Sequence, residues 1–590
     1  MDRRGFLRSA AYFTVVGAGV PLAACGGSDG TPAGSFTFPL GVASGDPKDT
    51  SAVFWTRCLR KDGNGDASLR LDVASDPAFA NIVALAELSA TATYDHTVRA
   101  KVTGLAPNTR YWYRFVAGTD VSAIGQTKTA PAAASAPAQL RFAWMTCQDW
   151  SINHWAAMDL MAQEDLDFIV HLGDYIYETV GAAFQTGAAE PAHGKITLPN
   201  GVAAGGAVYA NTVDDYRTLY RTYRGDTRLQ ELHRKFPMVV IWDDHEFSDD
   251  CWRDHQTYTN ANVQQTARRR AANQAWAEYM PVDWGDVSFD LNNAAYDNIR
   301  IYRDFKFGNL LHLVMTDERL YRDDHVVSEA AYAQMLQHDA VNGSDSVGSR
   351  YFVPQPLLLQ YEQADTAALG RAPSILGATQ EQWWKDTMKN STATWKVWGN
   401  EVTLNRMWVD LRTQAAAPYN QLYVVNADGW DGYPAHRAEL LGWLGKQGIG
   451  NVVAITGDLH AFQCGVIYDN NDPASGKAVA VDFVSAGISS SSFYKYLSAG
   501  SAGTPLAPLV ATPQTFDGVL RAHNPGFAYV DHDAQGYSVA TVTPSSFSVV
   551  FNKVKPLNAD GSKPSAPLAK KTRIVLQAGS TVPAVTDNVS

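Results

Sequence analysis

Short, continuously apolar segments recur between residues 140 and 458 and alternate with helical patterns. The apolar segments read RFAWMT, DFIVHLGD, MVVIWDD, LLHLVMTD, TWKVWGN and VVAITGD. Apolar residues at helical spacing fill intervals at residues 154–163, 266–279, 380–388 and 438–446. Because strands that are apolar throughout are covered on both faces, this alternation predicts an α/β architecture with sheets flanked by helices.

A different pattern runs from residue 36 to residue 130. Apolar and polar residues alternate in segments such as SAVFWTRC, SLRLDVAS and RYWYRFVAG, and turn residues lie between them. Trp55 on an early strand and the turn at 105–111 before a late strand resemble an immunoglobulin-like or fibronectin-like β-sandwich. The Pro- and Ala-rich stretch at 131–139 predicts a linker to a second domain at 140–560.

Two long insertions interrupt the α/β pattern, at residues 181–213 and about 322–373. They are rich in Ala, Gly, Ser and Asp, and loops of this length are often lids or binding loops, with disorder as the alternative. Residues 527–554 return to a β pattern. Residues 561–590 carry little pattern, and we assign them as a C-terminal tail.

Residues 1–25 are typical of an export signal and take no part in the fold prediction. Arg3 and Arg4 form a twin-arginine pair, and the apolar run at 10–22 is too short to span a bilayer. The segment ends in Leu22-Ala-Ala-Cys25, which resembles a lipobox. We therefore expect export by the Tat translocase, a lipid on Cys25, and a periplasmic or cell-surface location, with residues 26–35 as a flexible tether. The alternative is a plain signal peptide in which Cys25 is incidental.

Composition narrows the classes of function. The chain has 590 residues, enough for more than one domain, and its 46% apolar content allows a large core. It contains 48 Lys and Arg against 60 Asp and Glu, and this formal charge of −12 disfavours a nucleic-acid-binding protein. Five cysteines are too few for a disulfide-built fold, although Cys251 and Cys464 could pair in an oxidising compartment.

Side chains of metal-ligand types follow nearly every predicted strand of the α/β region. A single polar residue after a strand is usually a turn or a helix cap. Ligands of α/β sheets, however, bind at the carboxyl ends of the strands, so residues from distant parts of the sequence meet there. We therefore predict a polynuclear metal site at one sheet edge, formed from Cys147, Asp174, Asp244, Asp317, Asn400, Asp458 and His460.

The ordered motifs of the chain resemble those of the alkaline phosphatase D (PhoD-like) family of calcineurin-like metallophosphoesterases. They are Thr146-Cys147, His171-Leu-Gly-Asp174-Tyr-Ile-Tyr177-Glu178, Trp242-Asp-Asp-His-Glu246, Trp395-Lys-Val-Trp-Gly-Asn400 and Thr456-Gly-Asp-Leu-His460. Segments 40–47 and 53–57 resemble the β leader domain of that family. The resemblance implies an α/β metallophosphoesterase sandwich of mixed sheets flanked by helices, preceded by the immunoglobulin-like β-sandwich.

The resemblance also implies a site that holds Fe³⁺ and Ca²⁺. It assigns Fe³⁺ to Cys147, Asp174, Tyr177 and His460, and Ca²⁺ to Asp174, Asp244, Asn400 and Asp458. The donor types fit this assignment, because a thiolate suits iron or zinc and an all-oxygen set suits Ca²⁺, Mg²⁺ or Mn²⁺. Other divalent metals stay open as alternatives.

The implied activity is that of an exported alkaline phosphatase, with a role in phosphate scavenging, which hydrolyses phosphate monoesters by attack of a metal-activated hydroxide. His245 would protonate the leaving oxygen, and Glu246 would either orient His245 or support the metal ligands through contacts with them. Arg217, Arg221 and Arg319 are candidates for the phosphate contact. The nearest alternative is phosphodiesterase or phospholipase D-type activity on the same scaffold, and the alternative from another class is a ligand-binding lipoprotein.

Overall fold

The computed structural model describes residues 12–16, 34–63, 65–185, 187–257, 262–328, 330–331, 350–417, 419–470 and 474–589. Arg3, Arg4 and Cys25, on which the export prediction depends, lie outside these ranges. Tyr12–Val16 forms a short strand that pairs in parallel with Thr97–Thr103. No helix in these ranges is long and apolar enough to cross a membrane.

The N-terminal strands form two sheets that share a core, as the alternating pattern predicts. One sheet contains Val42–Gly45, Ser51–Arg57 and Thr97–Thr103. The core between the sheets includes the buried side chains of Phe54, Leu71 and Phe115. The other sheet consists of Ala67–Ala74, Ile82–Ala90, Arg110–Ala117, Asp120–Val121 and Gly125–Lys128.

One sheet of this β-sandwich continues into the α/β region. Gly45 pairs with Met238, so that Val42–Gly45 lies beside the strand Met238–Ile241. Trp55 packs across the same boundary, because its Nε1 donates to the Glu278 carbonyl oxygen at 2.8 Å and the Arg224 guanidinium lies 3.9 Å from its ring centroid. The boundary is therefore a packed interface with shared hydrogen bonds.

The α/β region is built from two mixed sheets that pack face to face. The first sheet continues from the β-sandwich through Met238–Ile241, Phe168–Leu172, Leu140–Met145, Gly536–Val542, Ser546–Val554, Leu568–Gln577 and Ala584–Asp587. The second runs Arg303–Phe307, Leu311–Met315, Trp395–Asn400, Val452–Thr456, Ala478–Val484, Phe462–Tyr468 and Phe527–Asp531. Phe547 of the first sheet contacts the rings of Trp395 and Phe483 of the second, with centroids 5.5 and 6.1 Å apart.

Helices cover the outer faces of the two sheets, which confirms the predicted fold class. The four predicted helices are present as Ala156–Met161, Thr266–Tyr279, Gly377–Asn390 and Pro434–Gln447. The last begins with a proline and is followed by Gly448 at φ 65°, both of which are typical helix boundaries. The other described helices are Val213–Tyr223, Thr227–Lys235, Gln355–Leu369, Phe493–Gly500 and Pro513–His523.

The insertions and the C-terminal segment contain more structure than their sequences indicate. In the first insertion, Val202–Ala204 and Ala207–Tyr209 form a small sheet with Thr179–Val180. In the second, Tyr351–Pro354 pairs with Leu422–Asn426. The assignment of residues 561–590 as a tail missed the strands Leu568–Gln577 and Ala584–Asp587. Only two of their side chains, Ile574 and Leu576, belong to the buried core, so the apolar pattern there is weak.

Candidate metal centre

Loops at the carboxyl ends of strands from both sheets meet at one edge of the α/β region. Cys147 and Asp174 follow Leu140–Met145 and Phe168–Leu172, while Asp458 and His460 follow Val452–Thr456. These four residues adopt left-handed backbone conformations, with φ values of 54°, 54°, 58° and 56° respectively. Non-glycine residues avoid this region, and such strain is held mainly where a functional site requires it.

The loops approach each other closely enough to require glycine at one position. Gly173 has φ 98°, and a Cβ atom there would lie 2.3 Å from the backbone nitrogen of Asp243. Asp174, the next residue, is thereby placed beside Asp244, which belongs to the neighbouring loop. The glycine of the sequence motif therefore serves to bring two acidic loops into contact.

Four overlapping clusters of ligand-type side chains result, each with its ligand atoms within 4.8 Å of one another. Asp174 belongs to two of them and so lies between a sulfur- and nitrogen-containing cluster and one with mostly oxygen donors. The clusters are Cys147 with Asp174 and His460, Asp174 with Asp244 and His245, Asp243 with Asp244 and Asp458, and Asp244 with Asp249 and Asp250. The structure thus brings together the predicted ligands from four separate loops.

Tyr177 and His460 complete the first cluster. The Tyr177 hydroxyl donates to Asp174 Oδ2 at 3.1 Å and lies 3.2 Å from His460 Nε2. His460 Nδ1 lies 2.8 Å from the carbonyl oxygen of Ser491, so Nδ1 carries the proton and Nε2 is available as a ligand. Burial lowers the pKa of His460 to about 4, which keeps the imidazole neutral.

The donor set fits a metal ion. Burial, together with the charge of Asp174, raises the pKa of Cys147 and Tyr177 well above their ordinary values. Burial also raises the pKa of Asp174 and Asp458, partly offset by nearby cationic side chains. Buried anionic groups are normally paired or bound to metal, so these side chains would be stabilised as anions by bound cations.

His245 is positioned as a proton donor beside the clusters. Its Nδ1 lies 2.7 Å from Glu178 Oε2, and its Nε2 side faces the cavity described below, 3.6 Å from Asp249 Oδ1. Burial lowers the pKa of His245, but the carboxylates of Asp244 and Glu178 outweigh it and hold this pKa well above the ordinary value. The neighbouring carboxylates therefore favour the protonated form of the imidazole, which carries a proton on Nε2.

Glu246, predicted to orient His245, has different partners. Its Oε2 accepts hydrogen bonds from the backbone nitrogens of Asp174 at 3.0 Å and Asp243 at 2.8 Å. The residue that holds the imidazole is Glu178, which is wholly buried. Glu178 stands in the same sequence motif as Asp174, but sequence alone gives no reason to choose it over Glu246.

A cavity of about 140 Å³ opens over the clusters. Asp174, Asp244, His245, Asp458 and His460 line its floor. Its walls include Phe184 and Tyr209 from the first insertion and Arg350 and Tyr351 from the second. Both insertions therefore contribute to the site, which is the role expected of binding loops.

Four predicted ligand positions lie outside the cavity lining: Cys147 and Tyr177 of the first cluster, Asn400 and Asp317. Asn400 Oδ1 accepts from Trp430 Nε1 at 3.0 Å, and its Nδ2 donates to Thr456 Oγ1 at 3.0 Å. Asp317 Oδ1 accepts from the backbone nitrogens of Arg319 and Leu320, so its carboxylate caps a turn. Asp317 thus has a structural role at the end of its strand, and the side chain of Asn400 contacts Trp430 and Thr456.

The arginines proposed for phosphate contact are occupied elsewhere. Arg217 pairs with Glu278 at 2.6 Å and Arg221 with Asp95 at 3.0 Å, both far from the cavity lining. Arg319 is wholly buried among carboxylates. The cavity instead contains Arg350, which lies in the second insertion, where no distinctive sequence pattern marks it, and it was missed for that reason.

The expectation that Cys251 and Cys464 could pair is wrong. Both are buried free thiols. Their burial raises the pKa of Cys251 to about 12 and that of Cys464 well above its ordinary value.

Comparisons with known proteins agree with this geometry. The family model for the PhoD-like phosphatase matches residues 142–551, and the model for the PhoD-like phosphatase N-terminal domain matches residues 24–131. The chain belongs to the PhoD-like phosphatase family. It is 29% identical to alkaline phosphatase D of Bacillus subtilis (strain 168) over 586 residues, which cover 98% of this chain and 88% of the relative.

The fold of this PhoD-like chain also matches a solved structure of PhoD. The TM-score is 0.74 at 27% sequence identity, and the match covers 95% of this chain and 94% of the other. The predicted family and fold class are therefore confirmed. As a PhoD-like phosphatase the chain is a phosphoric ester hydrolase that acts on a small-molecule phosphate ester, and the clusters are candidate sites for its metal ions.

Proposed function

We propose that this PhoD-like chain is a phosphomonoesterase and that Asp174 would be a ligand shared by its metal ions. The observation that supports this proposal is the position of Asp174 in two ligand clusters, directly below the cavity and beside the proton donor His245. A carboxylate has two oxygens and can serve two cations at once. Two cations held this way are typical of enzymes that hydrolyse phosphate esters.

Iron and calcium are the metals that the family resemblance implies, and the donor types fit them. Fe³⁺ would be held by Cys147, Asp174, Tyr177 and His460, because a thiolate and a phenolate add the anionic charge that a trivalent ion needs. Ca²⁺ would be held by the all-oxygen set of Asp174, Asp244, Asn400 and Asp458. Asn400 can join through the second lone pair of the Oδ1 that accepts from Trp430.

The protein side chains perform the remaining steps. When bound, the metal ions would activate the attacking water and offset charge on the phosphoryl oxygens. Arg350 on the cavity wall contacts the phosphate group of the substrate. His245 donates the Nε2 proton to the departing oxygen, while Glu178 holds Nδ1 and balances the charge of the imidazolium.

The small, partly open cavity favours monoesters over larger substrates. Aromatic side chains from the insertions, Phe184, Tyr209 and Tyr351, line the space above the floor and narrow it. A phosphate group with one ester arm fits this space, whereas a diester needs room for a second arm. The diesterase and phospholipase D-type activities are the alternatives that the kinetic test separates.

The test is steady-state hydrolysis of an aryl phosphate, a bis-aryl phosphodiester and phosphatidylcholine by the purified chain loaded with iron and calcium. We expect the highest kcat/KM on the monoester. A higher value on the diester, or release of choline from the phospholipid, would replace the monoesterase assignment. No hydrolysis of any substrate by metal-loaded protein would favour the binding lipoprotein.

We further propose that the protein is exported by the Tat pathway and anchored by a lipid on Cys25. This gives it a periplasmic or cell-surface location. The supporting features are the Arg3-Arg4 pair, the apolar run at 10–22 and the lipobox-like end of that run. A folded, metal-loaded phosphatase at the cell surface could release phosphate from external esters.

A further inference from the structure

Arg319 is wholly buried beneath the metal centre and contacts several carboxylates at once. Its Nε donates to Asp243 Oδ1 at 2.6 Å, and its Nη2 donates to Asp458 Oδ1 at 3.1 Å. Nη1 donates to the carboxylate of Asp428, with the shorter contact at 2.9 Å. Nη2 also lies 3.9 Å from Asp244 Oδ2. The planar guanidinium therefore spans the acidic residues on which the cation cluster is built.

Arg319 pairs with Asp428 as well as with Asp243 and Asp458, but these carboxylates differ in their other cationic partners. Asp428 has two further cationic partners, since Arg322 Nη1 lies 3.2 Å and His325 Nε2 lies 2.6 Å from its Oδ1. Asp243 and Asp458 contact no other arginine, lysine or histidine at ion-pair distance among the described residues. Arg319 thus fixes one oxygen of each of these two carboxylates.

The loop that carries Arg319 is itself held rigidly. The backbone nitrogen of Glu318 donates to Glu401 Oε2 at 2.7 Å, and the backbone nitrogen of Glu401 donates to Glu318 Oε2 at 2.8 Å. This reciprocal pair joins the ends of two neighbouring strands, Leu311–Met315 and Trp395–Asn400. The guanidinium is therefore presented from a fixed backbone.

One carboxylate oxygen near Arg319, Asp243 Oδ2, is left without a hydrogen bond. Asp243 is fully buried, and its Oδ2 has no hydrogen-bond partner within the described ranges. Asp243 has a ligand atom within 4.8 Å of those of Asp244 and Asp458. A buried carboxylate oxygen without a partner is costly unless a cation or donor meets it.

We propose that Asp243 is an additional ligand of the oxygen-coordinated cation and that Arg319 is the positioning residue that orients Asp243 and Asp458 toward it. Arg319 binds Oδ1 of both residues, which leaves their Oδ2 atoms for the cation. This inference rests on the proposed metal centre, but it concerns residues outside the ligand set assigned by the motifs. It also accounts for an arginine so close to a cation site, where its charge alone would oppose binding.

Whether substitution of Arg319 weakens or strengthens Ca²⁺ binding shows which of two roles it has, positioning the ligands or only balancing their charge. If Arg319 only balances charge, Arg319→Gln removes a repulsive charge and Ca²⁺ binds as tightly or more tightly. If Arg319 positions the ligands, Arg319→Gln weakens Ca²⁺ binding by about 10- to 100-fold, the usual effect of losing a residue that orients a ligand. Arg319→Lys should fail to rescue, because an ammonium lacks the planar fork that reaches two carboxylates.

The experiment is calorimetric titration of the chelator-stripped, iron-containing protein with Ca²⁺, Mg²⁺ and Mn²⁺ separately. Asp243→Asn should weaken binding by a similar factor, and the remote pair variant Arg217→Lys should leave it unchanged. Circular dichroism checks that each variant folds. If Arg319→Gln does not fold, the affinities of Asp243→Asn and Arg319→Lys are used for the test instead.

The inference is overturned if Arg319→Gln or Arg319→Lys binds the cation as tightly as the wild type or more tightly. It is also overturned if Asp243→Asn binds it unchanged, or if the wild type binds none of the three cations. The readout does not involve substrate. A wild type that hydrolyses no phosphate ester while these affinities fall as expected would refute the proposed function and leave this inference standing.

Discussion

Replacing Glu178 with Gln removes the charge that holds His245 while leaving a side chain of nearly the same shape. Glu178 Oε2 lies 2.7 Å from His245 Nδ1, and the carboxylate is wholly buried. A hydrogen bond to a charged group contributes about 1.5–3 kcal/mol. This contribution stabilises the protonated form of His245, so at a pH above the pKa of His245 its loss lowers the protonated fraction, and kcat falls by about 10- to 150-fold.

The assay compares substrates that differ in their need for a proton donor. An alkyl phosphate has a poor leaving group, so Glu178→Gln should reduce its kcat strongly, and His245→Ala by about 10²–10⁴. An aryl phosphate leaves with little protonation and should lose less in both variants. Because Glu178 acts through His245, adding Glu178→Gln to His245→Ala should cost almost nothing further.

A matched control is another buried glutamate far from the cavity. Glu190 Oε1 accepts from the backbone nitrogen of Trp155 at 3.0 Å and lies 2.7 Å from Arg228 Nη2. Glu190→Gln should lower thermal stability without any difference between the two substrates. Equal losses of Glu178→Gln on both substrates, or full additivity with His245→Ala, would refute the assignment of Glu178 as the partner of the proton donor.

Three further predictions concern metal, pH and export. Tyr177→Phe should remove or shift a visible absorption band of the iron-loaded protein, and a colourless wild type would contradict the iron assignment. Burial raises the pKa of Glu190, but hydrogen bonds from Arg228 and the Trp155 backbone bring it to about 2 from 4.5. The stability contributed by Glu190 is therefore present above pH 4.5 and lost as pH falls toward 2. Thermal unfolding should accordingly show that Glu190→Gln loses less stability than the wild type as the pH falls from 4.5 to 2. The same loss of stability in both proteins would contradict this prediction. Replacing Arg3 and Arg4 with Lys should retain active enzyme in the cytoplasm, and normal export of this variant in cell fractionation would contradict the Tat assignment. Cys25→Ser should release the enzyme from membranes, and unchanged membrane binding would contradict the lipid anchor.

The sequence alone determined the fold class, the family and most of the side chains that cluster at the candidate metal centre. Continuous apolar strands can only be stable inside a layered structure, and each of their ends carries a short motif that can be recognised locally. Cys147, Asp174, Asp244, Asp458 and His460 were predictable for this reason. The helix at 266–279 was also predictable, because its apolar spacing and its boundaries are local features.

Only the tertiary structure decided which polar side chains meet. The partner of His245 proved to be Glu178 rather than Glu246, because partner choice depends on where two loops from separate strands cross. Arg319 was an equal candidate with Arg217 in the sequence, yet one lies under the metal centre and the other pairs with Glu278.

The cavity wall was likewise beyond the reach of the sequence. Arg350 lies in an insertion whose composition suggests only a loop, and its place at the cavity follows from the pairing of Tyr351–Pro354 with Leu422–Asn426. The sequence shows which residues follow the end of each strand. Contacts between residues hundreds of positions apart arise only when the two sheets pack, and those contacts set the charge, the proton position and the shape of the site.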